Sequence, residues 1–190
     1  MIMNFNHTRL KIGVFGSADG DGIAENQLSA EIVGKTIARE GPILCTGACH
    51  GLPYCAVQGA NRVGGLCLGF SPAINLTEHI NKYNLPVDNQ SLIFTGMGYK
   101  GRNMICTRTC DAGIFIAGRW GTLNEFTFMC DEGEGKVIGL LSGSGGFVDK
   151  WIIPGLKSTD KKSKAIIVVE SNPIKLIEIV IDELEKIKGE

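Results

Sequence analysis

The sequence carries no excess of charge in either direction: 19 lysines and arginines stand against 20 acids, for a net charge of -1. Without a basic face there is no electrostatic footprint for nucleic acid or for an anionic membrane, so a small ligand is the expected partner. Long apolar runs are missing too. The longest span only about half a dozen residues, well short of the ~20 that cross a bilayer. The opening stretch Met1-Ile2-Met3-Asn4-Phe5-Asn6-His7-Thr8 lacks a charged segment leading into an apolar one, so no export signal is expected. Residues 1–8 read as a flexible N-terminus. A chain of 190 residues can build one sizeable core but not two comfortable ones, which predicts a single domain.

Several motifs are absent as well. No Gly-x-x-x-x-Gly-Lys-Ser/Thr run occurs, which argues against an ATPase of the phosphate-loop class, and neither Gly13-Val14-Phe15-Gly16-Ser17 nor Thr46-Gly47-Ala48-Cys49-His50-Gly51-Leu52 matches the dinucleotide fingerprint. None of the lysines sits in a recognisable pyridoxal-phosphate site. The seven cysteines include no pair with the two-residue gap of zinc knuckles; Cys45 and Cys49, and Cys106 and Cys110, are four apart. An odd set scattered through apolar segments suits buried thiols in a reducing cytoplasm, so the expectation is core packing, with no metal and no cofactor.

What is present is an alternation of short apolar runs and helical patterns. Leu10 to Gly16 reads as a strand closed by the loop Ser17-Ala18-Asp19-Gly20-Asp21-Gly22, and Ala24 to Glu40 as a helix with Leu28, Ile32, Val33 and Ile37 on one face. Strands follow at 42–45, 66–70, 91–95, 113–117, 136–141 and 165–169. Helices are expected at 52–62, 100–110, 121–131, 147–151 and 173–188, and residues 71–90 read as a loop with a short helix. The strands are continuous apolar runs rather than alternating ones, which predicts burial on both faces. The fold class is therefore α/β, a Rossmann-like doubly wound, mainly parallel sheet with helices on both faces. Ligands in such sheets sit beyond the carboxyl ends of the strands, near Gly16, Thr46, Thr95 and Ala117.

The turn Ala117-Gly118-Arg119-Trp120-Gly121-Thr122 follows a strand and opens a helix. Gly118 and Gly121 let the backbone approach a ligand, and successive amides with the helix N-terminal partial charge favour an anion, with the Thr122 hydroxyl as a further donor. The alternative is a plain glycine turn with Thr122 as helix cap and Glu125, three residues on, completing a capping box. Arg102 tips the balance toward function. It lies at the start of the preceding helix, after Thr95-Gly96-Met97-Gly98-Tyr99-Lys100-Gly101, on the same edge of the sheet as Glu125. A carboxylate and an arginine facing a phosphate cradle can hold a ribose phosphate, and the carboxylate can stabilise an oxocarbenium-like ribose or position water. Trp120 could equally stack on a base or cover the sheet end. His50 reads as a bystander, Cys49 lacks an identifiable base to make it a nucleophile, and Lys161, Lys162 and Lys164 read as a solvated loop.

With these residues in view, the sequence resembles the Lonely Guy (LOG) family, once described as possible lysine decarboxylases, and is close to its molybdenum-cofactor carrier branch. The signature Pro-Gly-Gly-x-Gly-Thr-x-x-Glu is met by Gly118, Gly121, Thr122 and Glu125, while Ala117 and Arg119 depart from it. The run Gly96-Met97-Gly98-Tyr99-Lys100-Gly101-Arg102-Asn103 is similar to the Gly-Met-Gly-Tyr-x-x-x-Asn of the carrier branch, Gly47 to Gly51 to the family's second glycine loop, and Gly13 to Ser17 to its first. The resemblance implies a Rossmann-like homodimer or larger homo-oligomer. It implies that Arg102 and Glu125 are catalytic, and that Gly16, Ser17, Gly47, Gly51, Gly98, Asn103, Gly118, Arg119, Gly121 and Thr122 bind a phosphorylated, nucleotide-like ligand. The implied activity is hydrolysis of the N-glycosidic bond of a nucleoside 5′-monophosphate, with non-catalytic carriage or sensing of a ligand such as molybdenum cofactor as the alternative.

Overall fold

The computed structural model describes residues 9–20, 22–88, 90–160 and 162–189. The expectation for residues 1–8 and the placement of Lys161 lie outside them. The elements run β1 (Lys11–Gly16), α1 (Ile23–Glu40), β2 (Ile43–Thr46), α2 (Leu52–Asn61), β3 (Cys67–Ser71), α3 (Leu76–Asn81), β4 (Ser91–Phe94), α4 (Gly98–Thr109), β5 (Ala112–Ile116), α5 (Trp120–Glu132), β6 (Val137–Leu141), a π-helical turn (Val148–Ile152) that continues into α6 (Ile153–Ser158), β7 (Ile166–Glu170) and α7 (Pro173–Gly189). The sheet order is β4-β3-β2-β1-β5-β6-β7, and every neighbouring pair is parallel. Parallel pairing needs a crossover after each strand, and the helical segments between the strands provide it. The order runs outward from β1 to β4 and resumes at β5 on the other side of β1. The crevice at that reversal is therefore formed by the loops leaving β1 and β5, after Gly16 and Ile116.

Because side chains alternate across a strand, neighbouring residues feed opposite layers. Ile12, Val14, Ile114 and Ile116 pack with Val33, Ile37, Val57 and the α7 residues Leu176, Val180 and Leu184. On the other face Phe15 and Phe115 stack at 5.1 Å and pack with Cys106, Phe126, Met129, Leu140 and Ile152. The five inner strands are buried on both faces as their apolar runs predict. The edge strands β4 and β7 are not: Ile93, Phe94, Ile166 and Val169 are exposed. An apolar run marks a strand but does not say whether a neighbour covers it.

α1 and α2 meet with their backbones in contact. A Cβ added at Gly34 would lie 1.8 Å from the Ala56 carbonyl oxygen, and one at Gly59 2.0 Å from that of Glu31. Gly34→Ala is therefore expected to push the helices apart, an overpacking cost of about 3 kcal/mol offset by about 1 kcal/mol of helix propensity. The net loss of ~2 kcal/mol corresponds to a melting point about 4–8 °C lower in a chain of this size. Thermal unfolding checks this; a melting point equal to or above that of the wild type would mean that propensity outweighs the contact.

Candidate functional site

Two cavities open at the switch point. The smaller, about 180 Å³, is lined by Gly16, Ser17 and Ala18 after β1, by Cys49 after β2, by Tyr99, Lys100, Arg102 and Asn103 of α4, and by Arg119, Gly121, Thr122 and Glu125 around the start of α5. The larger, about 600 Å³, lies on the other side of Arg119.

α5 begins at Trp120, with Arg119 in extended conformation at its N-cap and no side chain capping it. Thr122 is therefore the third residue of the helix rather than its cap, and the capping-box alternative is excluded. The amides of the first turn are left open toward the smaller cavity, where Gly121 and Thr122 line the wall, and this end of a thirteen-residue helix favours an anion. Gly118 has φ +86°, and a Cβ there would lie 2.4 Å from Thr122 Oγ1, so both the turn and the packing of Thr122 require glycine. Its amide donates to Ser17 Oγ at 3.1 Å. Gly118 thus ties the two loops of the crevice together and lines the larger cavity. Ala117 holds φ +50° without being glycine, a conformation costing on the order of 1 kcal/mol. It is pinned by Ser144 Oγ on its amide at 2.8 Å and by the Val148 amide on its carbonyl at 3.0 Å.

Arg102 and Glu125 come together in the smaller cavity from the second turns of α4 and α5. Arg102 is 5% exposed, its guanidinium lies 5.8 Å from the Tyr99 ring centroid, and its Nη1 is buried with no hydrogen-bond partner. A buried, unpaired guanidinium nitrogen costs free energy that an anionic ligand would return. Glu125 is 8% exposed. Burial pushes its carboxyl from the usual 4.5 up to about 7, against the opposing pull of Arg102 and Lys100. The Asn103 amide is 3.1 Å from Glu125 Oε1 and 3.0 Å from the Tyr99 carbonyl oxygen, and with its nitrogen directed there it donates to both. Asn103 therefore orients the carboxyl as well as lining the cavity.

The remaining predicted residues act from behind. Gly47 lies beneath Arg102, and a Cβ there would fall 1.3 Å from Arg102 Nη1. Gly51 backs onto the first loop, where a Cβ would lie 2.2 Å from the Ser17 carbonyl oxygen, the same oxygen that accepts from the Leu52 amide at 2.9 Å. Gly98, at φ +61°, starts α4. Arg119 pairs with Asp19 across the rim and lines both cavities. Trp120 is absent from the linings of both cavities: it is 72% exposed and packs edge-on against Phe147 at 4.9 Å. His50 bonds the Asn84 carbonyl at 2.7 Å and is not part of the cavity wall. Cys49 does line the cavity, and burial pushes its thiol up to about 11, which keeps it protonated and a poor nucleophile. Tyr99, Lys100 and Ala18 escaped the sequence reading, although the first two lie within the quoted Gly-Met-Gly-Tyr run.

The Glu125 shift has a sign that stability can report. A raised carboxyl pKa means that the folded state binds the proton more tightly than the unfolded one, so its contribution is fully present below about 4.5 and is lost as pH rises to about 7. Glu125→Gln removes that loss. The variant's stability, followed by its melting point, is expected to gain on the wild type between pH 5 and pH 8, by on the order of 3 kcal/mol at most. A difference that stays constant across that range would show that Glu125 ionises normally.

An all-parallel Rossmann-like sheet with a cavity at its switch point, lined by the buried Arg102 and Glu125, defines a class of α/β protein. Within it, the chain belongs to the SLOG cluster4 family, whose model matches residues 9–177. An uncharacterized protein of Archaeoglobus fulgidus is 32% identical over 126 residues, which is 66% of this chain and 76% of that one. The solved structure of TM1055 superposes with a TM-score of 0.78 at 22% identity, covering 91% of this chain and 99% of that one. The molybdenum cofactor binding protein of the phototrophic bacterium Rippkaea orientalis superposes with a TM-score of 0.71 at 24% identity, covering 92% and 97%. These likenesses establish the shared fold, and the family resemblance drawn from the glycine loops is borne out at that level. Among the described residues, no helix is long and apolar enough to cross a membrane.

Proposed function

We propose that the chain hydrolyses the N-glycosidic bond of a nucleoside 5′-monophosphate, releasing the free base and ribose 5-phosphate. The observation that carries this reading is the juxtaposition, in one cavity, of Arg102 with an unpartnered Nη1 and Glu125 with a carboxyl held near neutrality. A group poised near pH 7 and buried in a cleft marks general acid–base or charge-stabilising work. The phosphate sits on the open first turn of α5, and Arg102 holds the ribose phosphate. Glu125, once ionised, supports the positive charge that develops on the ribose as the C1′–N bond lengthens, or takes a proton from the water that adds to C1′. The water's other hydrogen stays on the new C1′ hydroxyl, and the proton removed is returned to the departing nitrogen, so the base leaves neutral. No metal or cofactor is needed for this step.

Incubation with AMP, other nucleoside monophosphates and cytokinin-like monophosphates, followed by detection of free base, tests the reading. Base release that disappears in Glu125→Gln supports it; no release from any of them by the wild type would overturn it.

A second reading has its own support. Arg119 puts a long cation where the LOG signature has glycine, and the Gly118 amide is already spent on Ser17, which fits a site built to hold a ligand rather than turn it over. The likeness to the Rippkaea protein suggests a carrier of molybdenum cofactor. Thermal shift with molybdopterin-type ligands and no turnover of nucleotides would select this reading. Under both, the ligand is a small phosphorylated molecule. Seven free cysteines fit a reducing cytoplasm, and the exposed apolar edge at Ile93, Phe94 and Met97 fits the implied homo-oligomer.

A further inference from the structure

The smaller cavity is too small for a whole nucleotide. Its ~180 Å³ falls below the ~300–1,000 Å³ of ordinary small-ligand sites, whereas the ~600 Å³ on the far side of Arg119 lies within that range. Arg119 is the residue common to both linings. Arg119 faces both cavities and is held by an ion pair to Asp19 in which both partners are more than half exposed; such a pair contributes about 0–1 kcal/mol, so the partition is easily displaced.

The chemistry of the two walls differs. The smaller cavity presents open donors: the first turn of α5, Lys100 and the Arg102 guanidinium, whose Nη1 is buried without a partner. Around the larger one three backbone donors are already used. The glycine-rich loop Ser142-Gly143-Ser144-Gly145-Gly146 has its Gly143 and Gly145 amides taken by the Asp149 carboxylate at 3.1 and 2.5 Å, and the Phe147 amide by the Gly118 carbonyl at 2.9 Å. An internal carboxylate thus occupies two of the loop's amides. Asn26 spends its amide hydrogens on the Gly22 and Ser144 carbonyls at 2.7 and 2.8 Å and has only its oxygen left to offer. The larger cavity presents acceptors from Asn26 and Glu25 and the cations Arg119 and Lys150, beside the Phe147 ring. Acceptors beside an aromatic ring suit a planar heterocycle bearing N–H groups, and Arg119 and Lys150 can donate to its ring nitrogens or carbonyl oxygens.

We propose that this larger cavity is the heterocycle subsite of the same ligand, so that a purine-like nucleotide lies astride Arg119 with its ribose phosphate in the smaller cavity and its base against Phe147, Asn26 and Glu25. The proposal rests on the ribose-phosphate reading of the smaller cavity. The loop after β6 belongs to the site because it packs directly on the turn: a Cβ at Gly146 would lie 2.6 Å from the Ala117 carbonyl carbon. Displacing Arg119 from Asp19 joins the two cavities into one.

Titration calorimetry with ribose 5-phosphate and with the carbocyclic analogue of AMP, which has no glycosidic bond to hydrolyse, separates the two halves. The wild type is expected to bind the AMP analogue at least tenfold more tightly than ribose 5-phosphate. Glu25 is exposed on the first turn of α1, so Glu25→Trp can fill the larger cavity without touching the smaller one. It should bring the analogue down to the affinity of ribose 5-phosphate and leave the sugar phosphate itself unchanged. Equal affinities in the wild type, or a ratio that Glu25→Trp does not alter, with ribose 5-phosphate still bound, would overturn the base subsite and spare the phosphate site. Failure of the wild type to bind ribose 5-phosphate at all would overturn both.

Discussion

Glu125→Gln is expected to lower base release from nucleoside monophosphates by 10²–10⁴-fold, the range over which positioned acid–base groups act, while ligand affinity changes only a few-fold. The substitution keeps the shape of the side chain and an oxygen for Asn103, whose amide reaches Glu125 Oε1 at 3.1 Å, and it leaves Arg102 and the open turn of α5 untouched. It removes only the charge that the ribose cation needs. Because burial holds the wild-type carboxyl near 7, kcat/KM should rise with pH to a plateau just above neutrality, and the variant should lack that limb. Asn103→Leu offers a finer check. The Asn103 N–H stabilises the ionised carboxylate, so its loss should move the limb to higher pH, an effect that simple loosening of the site would not produce. Wild-type activity that is flat from pH 5 to pH 9, or undiminished in Glu125→Gln, would remove Glu125 from the chemistry.

The order of elements was readable in the sequence because inner parallel strands are buried on both faces and announce themselves as unbroken apolar runs. The same signal was silent about coverage: Ile93 and Val169 look like core residues and lie on edge strands. At the site, residues whose types carry chemistry were found together. Arg102, Glu125, Ser17, Thr122 and Arg119 all line one cavity. The glycines were found for a reason that the structure divides. Gly118 and Gly51 are there for both a positive backbone angle and the lack of room for a Cβ, whereas Gly47 is there because Arg102 occupies the space of its Cβ, a fact about tertiary packing that no local pattern encodes. The loop from Ser142 to Gly146 was passed over because it matches no fingerprint, although it too connects a strand to a helix and has three glycines. Its role beside Ala117 depends on β6 lying next to β5, which only the sheet order reveals.

Gly47→Ala is expected to weaken binding of a phosphorylated ligand by roughly 10- to 100-fold, about as much as Arg102→Met, although Gly47 lines neither cavity. A methyl group at position 47 would fall 1.3 Å from Arg102 Nη1, so the guanidinium must leave its place, and a charge-assisted hydrogen bond worth about 1.5–3 kcal/mol goes with it. The two variants should part company in stability. Arg102→Met deletes a buried cation with an unpartnered nitrogen, and the cost of keeping that charge out of water goes with it. Its unliganded melting point should therefore rise. Gly47→Ala keeps the charge and dislodges it, so its melting point should fall or hold. Calorimetric affinity for ribose 5-phosphate, paired with unfolding of the free protein, reads both effects. Unchanged affinity in either variant would show that Arg102 does not bind the ligand. A lower melting point for Arg102→Met would show that the arginine is there to support the fold. The expected combination, tighter folding with weaker binding, is the mark of a side chain kept against its own stability cost for the sake of a ligand.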